Sequence, residues 1–105
     1  MLKYIIDCFS NDKVFYTLHA RNEMETEGFG SIKEAEVFEA LINGEVIEDY
    51  PDDEPYQSCL IFGLTKGGRP LHIVCACSEE EGMTIVITTY QPDEKRWTDF
   101  KRRRK

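Results

Sequence analysis

The sequence predicts an α+β fold: N-terminal helices packed on one face of a small, mainly antiparallel four-stranded sheet, followed by a C-terminal helix. Three observations predict it. Residues 58–66 (S-C-L-I-F-G-L-T-K), 69–77 (R-P-L-H-I-V-C-A-C) and 83–90 (M-T-I-V-I-T-T-Y) are runs of β-branched and aromatic residues bounded by Gly and Pro clusters. The segments before them carry apolar residues at helical spacing. After them, Gln91-Pro92-Asp93 ends the sheet, and Asp93 is placed to cap a last helix.

Taken in order, Leu2, Ile5, Ile6 and Phe9 predict a first helix over 2–10, ended by Ser10-Asn11-Asp12. Val14 to Leu18 is a brief extended entry. A second helix starts near His19 and stops at Gly28, with a thin stripe of Ala20 and Met24. The third has the clearest signals: Ser31 and Glu34 as a capping box, a stripe of Ile32, Ala35, Phe38, Leu41 and Ile42, and Gly44 as the stop. Glu45 to Tyr50 reads as an edge strand guarded by its charges, and Pro51 to Pro55 as the loop beyond it. The final helix runs from Glu94 to about Arg102, with Trp97 and Phe100 one turn apart to dock it. No repeat or linker interrupts this single domain of residues 1–105.

Gly67-Gly68 has the length and type of a two-residue hairpin turn, which fixes a register. Lys66 then pairs with Arg69, position 63 with 72, and position 72 with 88. Leu60, Phe62, Leu64, Leu71, Ile73, Cys75, Ile85, Ile87 and Thr89 make the core face. Cys59, Ile61, Gly63, His72, Val74, Ala76, Val86, Thr88 and Tyr90 make the other. On that second face Gly63, His72 and Thr88 form a polar row, with Tyr90 beside it, and the glycine leaves the row open above.

The chain has 20 acidic and 13 basic residues, a net charge of −7. The last five residues are all basic, so the rest carries 8 basic against 20 acidic residues, a net of −12. An acidic body argues against non-specific coating of nucleic acid; the basic tail over 101–105 reads either as an arm for local phosphate contacts or as a solvated terminus. No stretch has the apolar length of a membrane span, and the N-terminus is too short and polar for a signal peptide, so the expectation is a cytoplasmic protein without membrane contact. Cys8, Cys59, Cys75 and Cys77 lack CxxC spacing and read as buried free thiols.

His72 and His19 are the candidates for acid–base work. A helix start favours neutral imidazole, which can act as a general base near pH 7. The bland readings are a helix cap for His19 and a half-buried strand histidine bonded to Thr88 for His72. Tyr90 and Thr88 offer hydroxyls for orientation, and Arg69, with Lys66 nearby, offers charge for a phosphate. Together these groups suit metal-free RNA cleavage by 2′-hydroxyl attack. The acidic stretch Glu48-Asp49, Asp52-Asp53-Glu54 lacks the spacing and glycine of a calcium loop, and Glu79-Glu80-Glu81 is a charged hairpin tip. The chain has no P-loop, nucleophile elbow or dinucleotide fingerprint, and no cofactor or resident metal is expected.

His19-Ala20, residues 44–53 (G-E-V-I-E-D-Y-P-D-D), 68–74 (G-R-P-L-H-I-V), 87–93 (I-T-T-Y-Q-P-D) and Trp97 together resemble a bacterial family of unknown function grouped with the RelE-like and BrnT-like toxins. The resemblance spans roughly 14–104. It implies a RelE-like fold, a sheet face available for RNA or a ribosome-bound message, and a toxin–antitoxin role with a neighbouring antitoxin, often a zinc-finger and helix-turn-helix protein. Two functions compete: an endoribonuclease toxin, and a non-catalytic RelE-like module that binds protein. A remote third is a metal protein using Cys75, Cys77 and His72, against which strand alternation points His72 away from both cysteines.

Overall fold

The computed structural model describes residues 1–104, leaving out the last of the five basic residues, Lys105. The chain runs α1 (Leu2–Ser10), β1 (Val14–Tyr16), α2 (Leu18–Thr26), α3 (Glu34–Ile42), β2 (Glu45–Tyr50), β3 (Ser58–Leu64), β4 (Pro70–Ser78), β5 (Met83–Tyr90), β6 (Trp97–Thr98) and β7 (Arg102–Arg103). Five strands form one sheet in the order β1-β5-β4-β3-β2, and β6 and β7 form a separate two-stranded hairpin. The three helices cover one face of the large sheet. Ile5, Ala20, Met24, Val37, Ala40 and Leu41 from the helices meet Ile61, Leu71, Ile73, Cys75 and Val86 from the strands in one core.

This corrects the expected four-stranded sheet with a C-terminal helix on two counts. The extended entry at Val14–Tyr16 is a fifth strand, parallel to β5, with Phe15 opposite Ile85. The sheet is therefore mixed. The predicted helix over 94–102 is a β-hairpin instead. Asp93 does cap a turn, its carbonyl accepting from the Arg96 and Trp97 N–H groups, but the turn does not propagate. Asp99 (φ 54°) and Phe100 (φ 62°) both take left-handed backbone, which reverses the chain as a tight hairpin turn closed by Lys101 N–H to the Thr98 carbonyl. Nine residues with a single Trp–Phe pair are too short to hold a helix by propensity alone, and tertiary contacts decide.

The α2 and α3 starts shift by one to three residues. Thr17 is the α2 N-cap, its hydroxyl accepting from Ala20 N–H. At α3 the Glu36 carboxylate accepts from the Lys33 N–H, so the reciprocal carboxylate is Glu36, and not Glu34 paired with Ser31.

The strand register differs by one residue from the expectation. Phe62, and not Gly63, lies opposite His72, and Gly63 pairs with Leu71. The cause is the turn. Thr65 N–H donates to the Arg69 carbonyl and Gly68 N–H to the Thr65 carbonyl, so the loop holds three residues, with Gly68 at φ 84°. A three-residue loop with a left-handed glycine at its end shifts the pairing by one relative to a two-residue turn. Every β3 side chain changes face as a result. Cys59 and Ile61 join the core, and Leu60 and Phe62 join the face of His72. A bulge at Ile87 resets β5, so Val86 reaches the core while Tyr90 stays on the His72 side.

Candidate functional site

His72 sits mid-strand on β4, on the face away from the helices, as alternation requires. The row it belongs to is not open. The β6–β7 hairpin folds across it, and His72 is 0% exposed. Its Nε2 lies 2.5 Å from the Phe100 carbonyl and its Nδ1 3.1 Å from the Tyr90 hydroxyl. A carbonyl only accepts, so Nε2 carries the proton and donates, which leaves the Nδ1 lone pair to accept from Tyr90 O–H. Both ring nitrogens are satisfied. Trp97 stands edge-on to the imidazole at 4.4 Å between centroids and perpendicular to it, with Phe62 and Tyr90 at 6.1 and 5.2 Å. Burial pushes the His72 pKa below its ordinary 6.5, against a smaller upward pull from the Phe100 carbonyl. Burial also raises the Tyr90 pKa, so the pair is a neutral imidazole beside an intact phenol.

The other residues expected at the site scatter. Thr88 is half-buried opposite Val74, and the hydroxyl on His72 is that of Tyr90 instead. His19 is exposed near the start of α2, 3.6 Å from Glu23 one turn on. Arg69 points to the helix side, away from His72. Its guanidinium donates to Gln91 Oε1, to the Ser31 and Gly30 carbonyls and to Glu36, tying the loop before α3 to the sheet end. That cation is fully engaged in structure. Cys75 and Cys77 lie on the face opposite His72, and among the described residues no three His, Cys, Asp or Glu side chains gather as a metal site.

The hairpin is held down by ion pairs that sequence reading missed. Arg103 grips Glu48 with Nε and Nη2, at 2.9 and 3.1 Å, and its guanidinium lies 4.8 Å over the Trp97 ring. Arg103 holds the Glu48 carboxyl below the usual range. Lys101 reaches Glu45 at 2.7 Å. The basic tail is thus half of a charge-matched contact with the acidic β2 edge. The signal was there in the sign of the two segments, but nothing in the sequence paired them.

Beside the sealed histidine lies a groove of about 650 Å³ between the turn after α2 and the C-terminal hairpin. Four cations line it: Lys95, Arg96, Arg103 and Arg104. Two carboxylates, Glu27 and Asp93, and three rings, Phe29, Tyr90 and Trp97, complete most of the wall. Arg103 is committed to Glu48. Arg104 Nε donates to the Glu94 carbonyl, which leaves its charge uncancelled. Among the described residues no carboxylate lies within 4 Å of Lys95, Arg96 or Arg104 in an ion pair.

The model of a domain of unknown function, DUF4258, matches residues 16–91. The chain belongs to this family. That bears out the resemblance to a family of unknown function, while the grouping with RelE-like and BrnT-like toxins finds no support in it. No match was found among the curated proteins or among the solved structures. In this DUF4258 chain the family span contains His19, Arg69, His72, Thr88 and Tyr90. Trp97 and Phe100, which seal His72, and all four groove cations lie beyond it. No helix among the described residues is long and apolar enough to cross a membrane.

Proposed function

We propose that this chain is a non-catalytic binding module whose working surface is the groove between the turn after α2 and the C-terminal hairpin. One observation carries the reading. The histidine most suited to acid–base work has no exposure, and both its nitrogens are bonded within the protein. A general base must come within hydrogen-bond reach of the proton it takes, and His72 has no free nitrogen to offer. Its ring fastens the hairpin to the sheet. The four cysteines are free thiols, which fits work in the reducing cytoplasm.

A second reading, the endoribonuclease toxin of a toxin–antitoxin pair, is favoured by the groove cations beside Tyr90. There, the cations would hold the phosphorane charge while solvent takes the 2′-hydroxyl proton and water protonates the leaving 5′-oxygen, without His72. One experiment separates the two. The full chain is incubated in EDTA with RNA, alone and with translating ribosomes, and the RNA ends are examined. The binding-module reading expects intact RNA and normal growth on induced expression. Cleavage leaving 2′,3′-cyclic phosphate overturns it and makes the toxin reading correct.

A further inference from the structure

We infer that the groove lined by Phe29, Tyr90, Arg96 and Arg104 holds a nucleotide unit, a phosphate together with its attached planar base. This rests on the binding-module reading of the same groove and names its ligand class. The volume, about 650 Å³, is that of a small-molecule site. The charge is local and of the sign a phosphate needs: with Arg103 committed to Glu48, three cations, Lys95, Arg96 and Arg104, stand against two carboxylates, Glu27 and Asp93.

Arg96 and Arg104 approach from the two arms of the C-terminal segment, and guanidinium forks match phosphate oxygens in pairs. Lys95 adds a point charge at the rim. The second half of the ligand is read from Phe29. This ring stands in the turn after α2, 61% exposed, on the wall of a groove full of charge. Stacking a base on it removes apolar surface from water, and every base has a face to offer. An acidic protein segment would answer the cations but would leave the phenyl ring uncovered, so the aromatic wall favours the nucleotide.

Two sources present this chemistry, a free nucleotide and a single strand. Titration of the full chain, followed by the fluorescence of its one tryptophan, Trp97 in the groove wall, distinguishes them. The probes are inorganic phosphate, AMP, UMP, a twelve-nucleotide oligo-U and polyglutamate. Arg96→Ala with Arg104→Ala should weaken the nucleotide about tenfold or more, as loss of charge-assisted hydrogen bonds does. Phe29→Ala should weaken AMP and UMP about tenfold and leave phosphate unchanged. All three side chains are exposed, and thermal melting checks that the variants fold. Oligo-U bound more tightly than UMP, with a steep salt dependence, assigns a strand; equal affinities assign the free nucleotide. The inference is overturned if neither AMP, UMP nor oligo-U binds at physiological salt, or if the double arginine variant binds as the native chain does. Polyglutamate binding as tightly as oligo-U also overturns it and makes the groove a protein-docking surface. Cleavage of the bound oligo-U would sink the non-catalytic reading alone and leave the ligand class standing.

Discussion

Gly63 shows how much one residue can decide. A Cβ there would lie 1.9 Å from the Ala40 carbonyl oxygen and 2.6 Å from its carbon, both backbone atoms of α3. The strand and the helix touch at this point, and only glycine permits it. Gly63→Ala must push α3 off the sheet, and overpacking of this kind costs about 1–3 kcal/mol or more. Urea denaturation checks it: a loss below about 0.5 kcal/mol would show that α3 moves freely. His72 is the residue of the opposite face. His72→Ala removes a buried ring and leaves the Phe100 carbonyl without its donor, and the expected cost is about 2–4 kcal/mol. A variant as stable as the native chain would show that the ring does not fasten the hairpin. Glu23 and Glu27, one turn apart on α2 and its end, carry a quieter role. Their carboxylates accept from Thr89 and Gln91 N–H, closing the β5 edge where the short β1 no longer reaches.

At the scale of elements, the β6–β7 hairpin is the device that turns a sheet face into an interior. Its strands are two residues each and would not hold together alone. They persist because Trp97 and Phe100 cover His72 and Phe62 while Lys101 and Arg103 pair with the β2 edge. Phe100 keeps a left-handed φ of 62° that a bulky residue rarely takes, and the stacking on Phe62 holds it there. Trp97 is buried. Trp97→Ala should therefore cost about 3–5 kcal/mol and release the hairpin. Deleting residues 94–105 makes the same point by another route: the His72 titration, followed by NMR, should move up towards 6.5 as solvent reaches the ring. An unchanged titration would mean that the hairpin is not what buries it.

Over the whole molecule, stability falls with pH through two groups of the same sign, His72 and Glu48, and the fall is opposed by Glu23, whose carboxyl pKa is pushed up by burial so that its contribution grows as pH falls. The folded state lowers the pKa of His72, by burial, so the unfolded chain takes up a proton more readily. That contribution is complete above about 6.5 and is lost as pH falls below it. The folded state also lowers the pKa of Glu48, through Arg103, and its contribution fades as pH falls below the ordinary 4.5. Melting temperature should drop in two stages from pH 7.5 to pH 3.5. His72→Gln should abolish the first stage and keep the second; a native curve that is flat between pH 7 and pH 5.5 contradicts the assignment. High salt should loosen the hairpin, because the Lys101–Glu45 pair and much of Arg103 are exposed to it.

The local pattern of the sequence determined most elements: α1, the β2 edge strand, the three long strands, and the placing of His72 opposite Ile73. Each follows from periodicity and from turn residues read within a few positions. The tertiary structure decided what covers what. The hairpin turn at Gly67-Gly68 has one length or another by a single residue, and that difference moved Gly63 under α3 and Phe62 beside His72. The 94–104 segment has the residues for a weak helix, and the open sheet face drew it into a hairpin instead, because burying Trp97 and pairing Arg103 with Glu48 outweigh a helix of three turns with one apolar pair. The site changed with it. Individual residue types named His72, Tyr90 and Arg69, but whether a polar row is a reaction surface or an interior depends on Phe100, 28 residues away in sequence, and its neighbour Trp97, and nothing local records that contact.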